Sequence, residues 1–142
     1  MTSFDVEVAR PGEADAFWRT HDRAWRSELW GFPVVWHEQA HDVVAREGAD
    51  LVGALRARIA ASLAHVDSLY VLDAHRRRGV GRGLLARLEE LANYYNCHKV
   101  SVPVASRSSA QQFLEACGYH VEAVIPQHTF KLDVAMLRKF LL

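Results

Sequence analysis

Between Arg76 and Leu85 the chain reads Arg-Arg-Arg-Gly-Val-Gly-Arg-Gly-Leu-Leu. Arg76, Arg77, Arg78 and Arg82 concentrate fixed positive charge there, and a guanidinium forks onto phosphate oxygens better than an ammonium does. Gly79, Gly81 and Gly83, alternating with Val80 and Arg82, free the backbone for positive φ and clear Cβ atoms from the path of a ligand. Successive N–H groups can then converge on one anion. A helix starting in this stretch adds the positive end of its dipole. The chemistry this spacing predicts is the grip of a ligand carrying several phosphates. Two common nucleotide loops do not fit. A P-loop needs Lys-Ser/Thr after its last glycine, where this chain has Leu84-Leu85. A dinucleotide loop needs Gly-x-Gly-x-x-Gly early in the chain and an acidic residue at the end of the next strand, where Lys99-Val100-Ser101-Val102 stands.

A second motif, His37-Glu38-Gln39-Ala40-His41, carries the two histidines four apart and the glutamate of the zinc-hydrolase helix. That motif needs a sustained helix. Pro33 lies just before it, a strand-like Asp42–Glu47 follows at once, and no third ligand presents itself, so no metal is expected. Cys97 and Cys117 lack ligand spacing and are too few for a disulfide framework.

The elements that must position the arginine loop follow from periodicity. Ser3 to Ala9 alternates Phe4, Val6 and Val8 with Asp5 and Glu7, predicting a half-buried strand that ends at Pro11. Ala14, Phe17, Trp18, His21 and Trp25 recur at helical spacing up to Gly31, and Trp18 and Trp25 are expected in the core. Residues 42–47 and 51–59 predict a hairpin around Gly48-Ala49-Asp50, and a third strand runs from about Ala64 to Leu72. Leu84, Leu85, Leu88, Leu91, Ala92 and Tyr95 share one face of the helix leaving the loop. A strand over Lys99–Val104 precedes Ser109-Ala-Gln-Gln112, a capping-box signature for a helix that stops at Gly118. Two strands, about Tyr119–Val124 and Thr129–Arg138, close the chain. The fold class predicted is α/β (α+β), a mixed, mostly antiparallel sheet of about seven strands flanked by about four helices.

Arg76-x-x-Gly79-x-Gly81 between a strand and a helix resembles the coenzyme A pyrophosphate loop of the GNAT superfamily of acyl-CoA N-acyltransferases, and the element order is similar over nearly the whole chain. Ala110-Gln-Gln-Phe-Leu114-Glu115-Ala-Cys-Gly118-Tyr119 is similar to the family's Ala-x-x-x-Tyr-Glu-x-x-Gly-Phe stretch. Two positions depart: the asparagine that usually precedes this helix falls on Arg107, and the tyrosine that often protonates the leaving thiolate falls on Leu114. The resemblance implies a single domain over residues 1–142 that transfers an acetyl group from acetyl-CoA to a primary amine, on a small molecule or a peptide. It implies that Arg76 to Gly83 and Arg107 contact the cofactor, and that the backbone around Leu69, Tyr70, Val71 and Leu72 pairs with the pantetheine arm like an added strand. His65 occupies the position where some members carry a glutamate base, and Asp67, two residues on, shares its face. An imidazole with a pKa near 6.5 suits proton abstraction at neutral pH. With leucine at 114, protonation of the leaving thiolate falls to water, to the acceptor's own released proton, or to a neighbour such as Tyr119. Trp30 and Trp36 flank Gly31-Phe32-Pro33, where family members shape the acceptor pocket. Leu114 keeps open a non-catalytic coenzyme A-binding module on the same fold, and the zinc hydrolase is the weaker alternative. A homodimer through the C-terminal strands is a further expectation.

Composition bounds these readings. At 142 residues, half of them apolar, the chain can bury a core of its own. Seventeen basic residues balance seventeen acidic ones, so no global field favours nucleic acid or an anionic membrane and the arginine cluster is local. With no charged-then-apolar leader after Met1 and no apolar run near spanning length, a cytoplasmic, reducing setting is the expectation.

Overall fold

The computed structural model describes residues 3–141, which fall into two compact units, one up to Trp36 and one from His37 onward. In the first, residues 3–10 have no regular structure, so the strand expected over Ser3–Ala9 is absent. Alternation prepares a segment to lie on a sheet, but a strand forms only where a neighbour completes its backbone hydrogen bonds. Phe4, Val6 and Val8 accordingly stay at least 84% exposed. Helix α1 (Asp15–Trp30) follows a turn at Gly12 and ends where Gly31 takes a left-handed φ of 78° and donates its N–H to the Ser27 carbonyl. No α1 residue is fully buried, and Trp18 and Trp25, expected in the core, remain 51% and 41% exposed. Trp30 is exposed as well, whereas Trp36 packs under the Arg26 guanidinium, 4.1 Å from its ring centre.

The second unit contains β1 (Gln39–Glu47), β2 (Asp50–Ala60), β3 (Leu63–Val71), α2 (Val80–Tyr94), β4 (Lys99–Ala105), α3 (Ser109–Ala116), β5 (His120–Thr129) and β6 (Leu132–Phe140). Six strands form one sheet in the order β1-β2-β3-β4-β6-β5, antiparallel everywhere except between β3 and β4. The described residues thus hold six strands and three α-helices where about seven and four were expected, within the predicted class.

The core lies under α2 and α3. Leu84, Leu85, Leu88 and Ala92 bring the apolar face of α2 onto Leu55, Ala57, Val66 and Val100 of the sheet, and Leu114 and Cys117 of α3 join the same cluster. Gly53 lets this happen. A Cβ there would lie 3.1 Å from Val80 Cγ1, 3.3 Å from Leu84 Cδ1 and 3.4 Å from the Tyr70 carbonyl, so the first turn of α2 rests directly on β2. Helix α3 starts one residue earlier than its capping signature suggested. Ser108, not Ser109, accepts the Gln111 N–H, while Gln111 Oε1 accepts the Arg107 N–H.

Candidate active site

Strands β3 and β4 pair over only three positions, Leu63 with Lys99, Ala64 with Val100 and His65 with Ser101, and then part. The cause lies on the other side of β3. Arg56 of β2 opposes Ser68 and Ala57 opposes Val66, which leaves Asp67 as an extra, bulged residue. A bulge bends its strand and sharpens its twist, here carrying β3 away from β4. Between them opens a cavity of about 900 Å³, walled by Val66–Val71, Val102–Val104, the arginine loop and the α3 residues Ser109, Ala110, Phe113 and Leu114. The β3 backbone facing this slit has no strand partner among the described residues, which leaves an edge ready for an extended ligand.

At its open end stands the arginine loop. Gly79 takes a left-handed φ of 83° and starts α2. The Gly83 N–H makes the first intrahelical bond, to the Gly79 carbonyl, so the N–H groups of Val80, Gly81 and Arg82 have no backbone acceptor among the described residues. Positive φ was expected at all three glycines; Gly81 and Gly83 are helical instead. Gly81 is needed for another reason, since a Cβ there would lie 2.9 Å from Phe113 Cζ, whereas Gly83 faces open space.

The four arginines are not equivalent. Arg76 donates from Nε to the Val71 carbonyl at 2.9 Å and lies over Tyr70, fixing the end of β3. Arg82 donates to the Ala116 carbonyl at the end of α3, and Arg78 reaches Glu47 at 3.4 Å. Arg77 makes no ion pair or side-chain hydrogen bond among the described residues and lines the cavity. Of the residues expected to meet the cofactor, Leu69, Tyr70, Val71, Arg76, Arg77, Gly79, Val80, Gly81 and Arg82 form cavity wall, while Leu72, Arg78, Gly83 and Arg107 do not. Several wall residues were not expected at the site, His75 and Phe113 among them. His75 has its Nδ1 buried without a partner while Nε2 lies 3.5 Å from Glu47, and Phe113 packs on Gly81. A histidine next to an arginine run was the available signal for the first; nothing in the pattern marked the second.

His65 lies in the last β3–β4 pair, next in sequence to the wall residue Val66, and is not itself part of the cavity wall. It is half-buried, and burial first, then the Arg58 charge, holds its pKa below the ordinary histidine value against the pull of Asp67. Asp67 Oδ1 is 3.8 Å from His65 Nε2, but the carboxylate is gripped by Arg58 through contacts of 2.9–3.1 Å. That hydrogen bonding, opposed by slight burial, holds Asp67 below the usual carboxylate range. Beside His65, the buried Ser101 hydroxyl donates to Met136 Sδ at 3.0 Å, a weak acceptor.

The sequence model of the acetyltransferase (GNAT) family matches residues 12–119. This chain belongs to the GNAT acetyltransferase family. Among solved structures, this GNAT protein superimposes on an acetyltransferase from Bacillus cereus with a TM-score of 0.78 at 19% identity, over 97% of this chain and 98% of that one. It also matches Ard1 from Thermoplasma volcanium (TM-score 0.64, 20% identity, 70% and 69% covered). A tandem GNAT protein from the clavulanic acid biosynthesis pathway shares 32% identity over 61% of this chain and 30% of its own, with a TM-score of 0.58. No curated protein matches the sequence.

Within the GNAT frame, Leu114 is 2% exposed and brings no hydroxyl to the cavity it lines. Tyr119 does not replace it. Its hydroxyl donates to Glu89 of α2 at 3.0 Å, and burial, followed by the Glu89 charge, pushes its pKa far up. Arg107 takes a left-handed φ of 61° in the turn before α3, away from the cavity wall. The His37/His41 motif is not helical: His41 lies in β1, where residues four apart are separated by about 13 Å. Its ring packs on Tyr95, and Glu38 lies 4.0 Å from Arg58.

Proposed function

We propose that this GNAT protein transfers the acetyl group of acetyl-CoA to a primary amine, with His65 accepting the amine's proton. The observation that carries the reading is the slit between β3 and β4, which joins an unpaired strand edge to three free N–H groups and an uncommitted arginine. The residues fit a phosphorylated thioester of this length. Val80, Gly81 and Arg82 would hold the pyrophosphate through backbone N–H groups at the positive end of α2, with Arg77 supplying charge. The unpaired β3 backbone from Val66 to Val71 would hold the pantetheine arm extended. Acetyl-CoA supplies an acyl group on a good leaving thiolate. The chain's own part is deprotonation: an alkylammonium with a pKa near 10 is almost wholly protonated at neutral pH, and His65, kept neutral by its surroundings, has the lone pair to receive the proton. Asp67, held ionised and gripped by Arg58, is a poor base. Leu114 brings no proton to the leaving thiolate, so the proton balance closes with the one released by the acceptor and received by His65.

Thermal denaturation tests the donor. A ligand present at a hundred times its Kd stabilises the native state by about 2.7 kcal/mol, so acetyl-CoA should raise Tm. Arg77→Glu should weaken that binding about tenfold or more by setting like charge against phosphate. No rise with millimolar acetyl-CoA in the unaltered protein would refute the donor assignment. An acceptor screen reporting free coenzyme A tests the rest. Leu114 favours the second reading, a non-catalytic coenzyme A-binding module, and a Tm rise with no amine acetylated would establish it.

A further inference from the structure

Arg58 of β2 stands directly opposite His65 of β3 in the strand register. Its Nε lies 2.9 and 3.1 Å from the two Asp67 carboxylate oxygens and its Nη2 lies 3.0 Å from Oδ1, while Nη1 reaches Glu38 at 4.0 Å. Asp67 is within this reach because the bulge adds one residue to β3 just there, setting its carboxylate between the guanidinium and the His65 ring 3.8 Å away. The carboxylate therefore has two possible cationic partners, and the planar guanidinium takes both its oxygens. The remaining charges around His65 are themselves engaged. Arg56, further along β2, is paired with Asp42 at 2.8 Å; Ser101 of β4 is neutral; and Arg138 of β6, in register with Ser101, lies over the Phe140 ring.

We propose that Arg58 is a positioning residue for His65: by occupying the Asp67 carboxylate it prevents a closed imidazolium–carboxylate pair and leaves the imidazole open to a proton from the acceptor. The clamp is about half exposed, where an ion pair adds little to stability, so holding the fold together does not account for it. Without Arg58, the same carboxylate would sit beside His65 as a free counter-ion and favour the charged ring, the usual effect of an opposite charge at such a distance. A base already carrying its proton cannot take another. The direction of the His65 pKa and the part Arg58 plays in it agree with this arrangement.

The inference rests on His65 being the base, and its test separates the two. The His65 ring signal, assigned with His65→Gln, is titrated by NMR in the free protein, which requires no acceptor. Arg58→Gln should move the His65 midpoint up by about one pH unit, Arg58→Lys should restore most of the wild-type value by returning the charge, and Asp67→Asn should move it down. An unchanged or lowered midpoint in Arg58→Gln overturns the proposal; should that variant not fold, an unchanged or raised midpoint in Asp67→Asn does so. With an acceptor in hand, Arg58→Gln should shift the acidic limb of kcat/KM by the same amount and leave the plateau kcat nearly intact. A merely structural role would lower kcat without moving the limb. If the NMR midpoint moves while the limb does not, the clamp stands and the assignment of His65 as base falls.

Discussion

Partial burial and then a guanidinium hold the His65 pKa below the ordinary histidine value, and this sets a signed pH dependence. For a saturable amine acceptor, kcat/KM is expected to rise with pH through a midpoint below about 6.5, the unperturbed histidine value. His65→Ala should remove that limb and lower kcat by roughly 10² to 10⁴, with acetyl-CoA binding little changed because the loop N–H groups are untouched. An unaltered profile in His65→Ala would show that the enzyme selects the small neutral fraction of its amine. Sequence could place His65 and Asp67 together, because residues two apart share a strand face. It could not show that Asp67 is already spoken for, since Arg58 reaches it across a strand boundary and only the pairing register reveals the contact. Leu114 was legible as a departure, but the nearest substitute suggested by the sequence, Tyr119, turned out to be buried against Glu89.

Among the elements, α2 approaches β2 closely over Gly53. Gly53→Val should destabilise by about 1–3 kcal/mol through overpacking against Val80 and Leu84, and should weaken acetyl-CoA binding as well, because Val80 belongs to the turn bearing the free N–H groups. The control is Gly83→Ala, where the added methyl meets open space and a helical alanine should gain about 0.5–1 kcal/mol. Chemical denaturation and the acetyl-CoA-induced Tm shift measure both; a Gly53→Val protein as stable as the original would refute this account of the packing. The loop, α2 and most strands were readable because apolar periodicity and glycine punctuation are local signals. The bulge at Asp67 was not, for a bulge is a property of two strands together. The Ser3–Ala9 alternation misled for the same reason, since it describes a surface without supplying the neighbour. At α3, adjacent Ser108-Ser109 and Gln111-Gln112 offered the same cap in two frames one residue apart.

Across the molecule, equal numbers of acidic and basic residues leave no long-range field to select a ligand, so recognition falls to where charges are left unmatched. Glu47 answers Arg78, Glu89 answers Lys139 and Glu122 answers Lys99, while Arg77 is left for the cavity. Among the described residues no helix is long and apolar enough to cross a membrane. The sheet itself has a mechanical consequence. It consists of two antiparallel triplets, β1-β2-β3 and β4-β6-β5, stitched by a seam of three residue pairs and splayed beyond it. A chain-like ligand laid in the gap would act as the missing stitches, making its binding a measure of how firmly two half-sheets are held to one another. Amide hydrogen exchange reads this directly. Val66–Val71 and Val102–Val104 should exchange faster than the centres of the triplets in the free protein and slow sharply with acetyl-CoA. A Tm rise without that slowing would mean that the ligand grips only the loop and leaves the crease in the sheet free to flex.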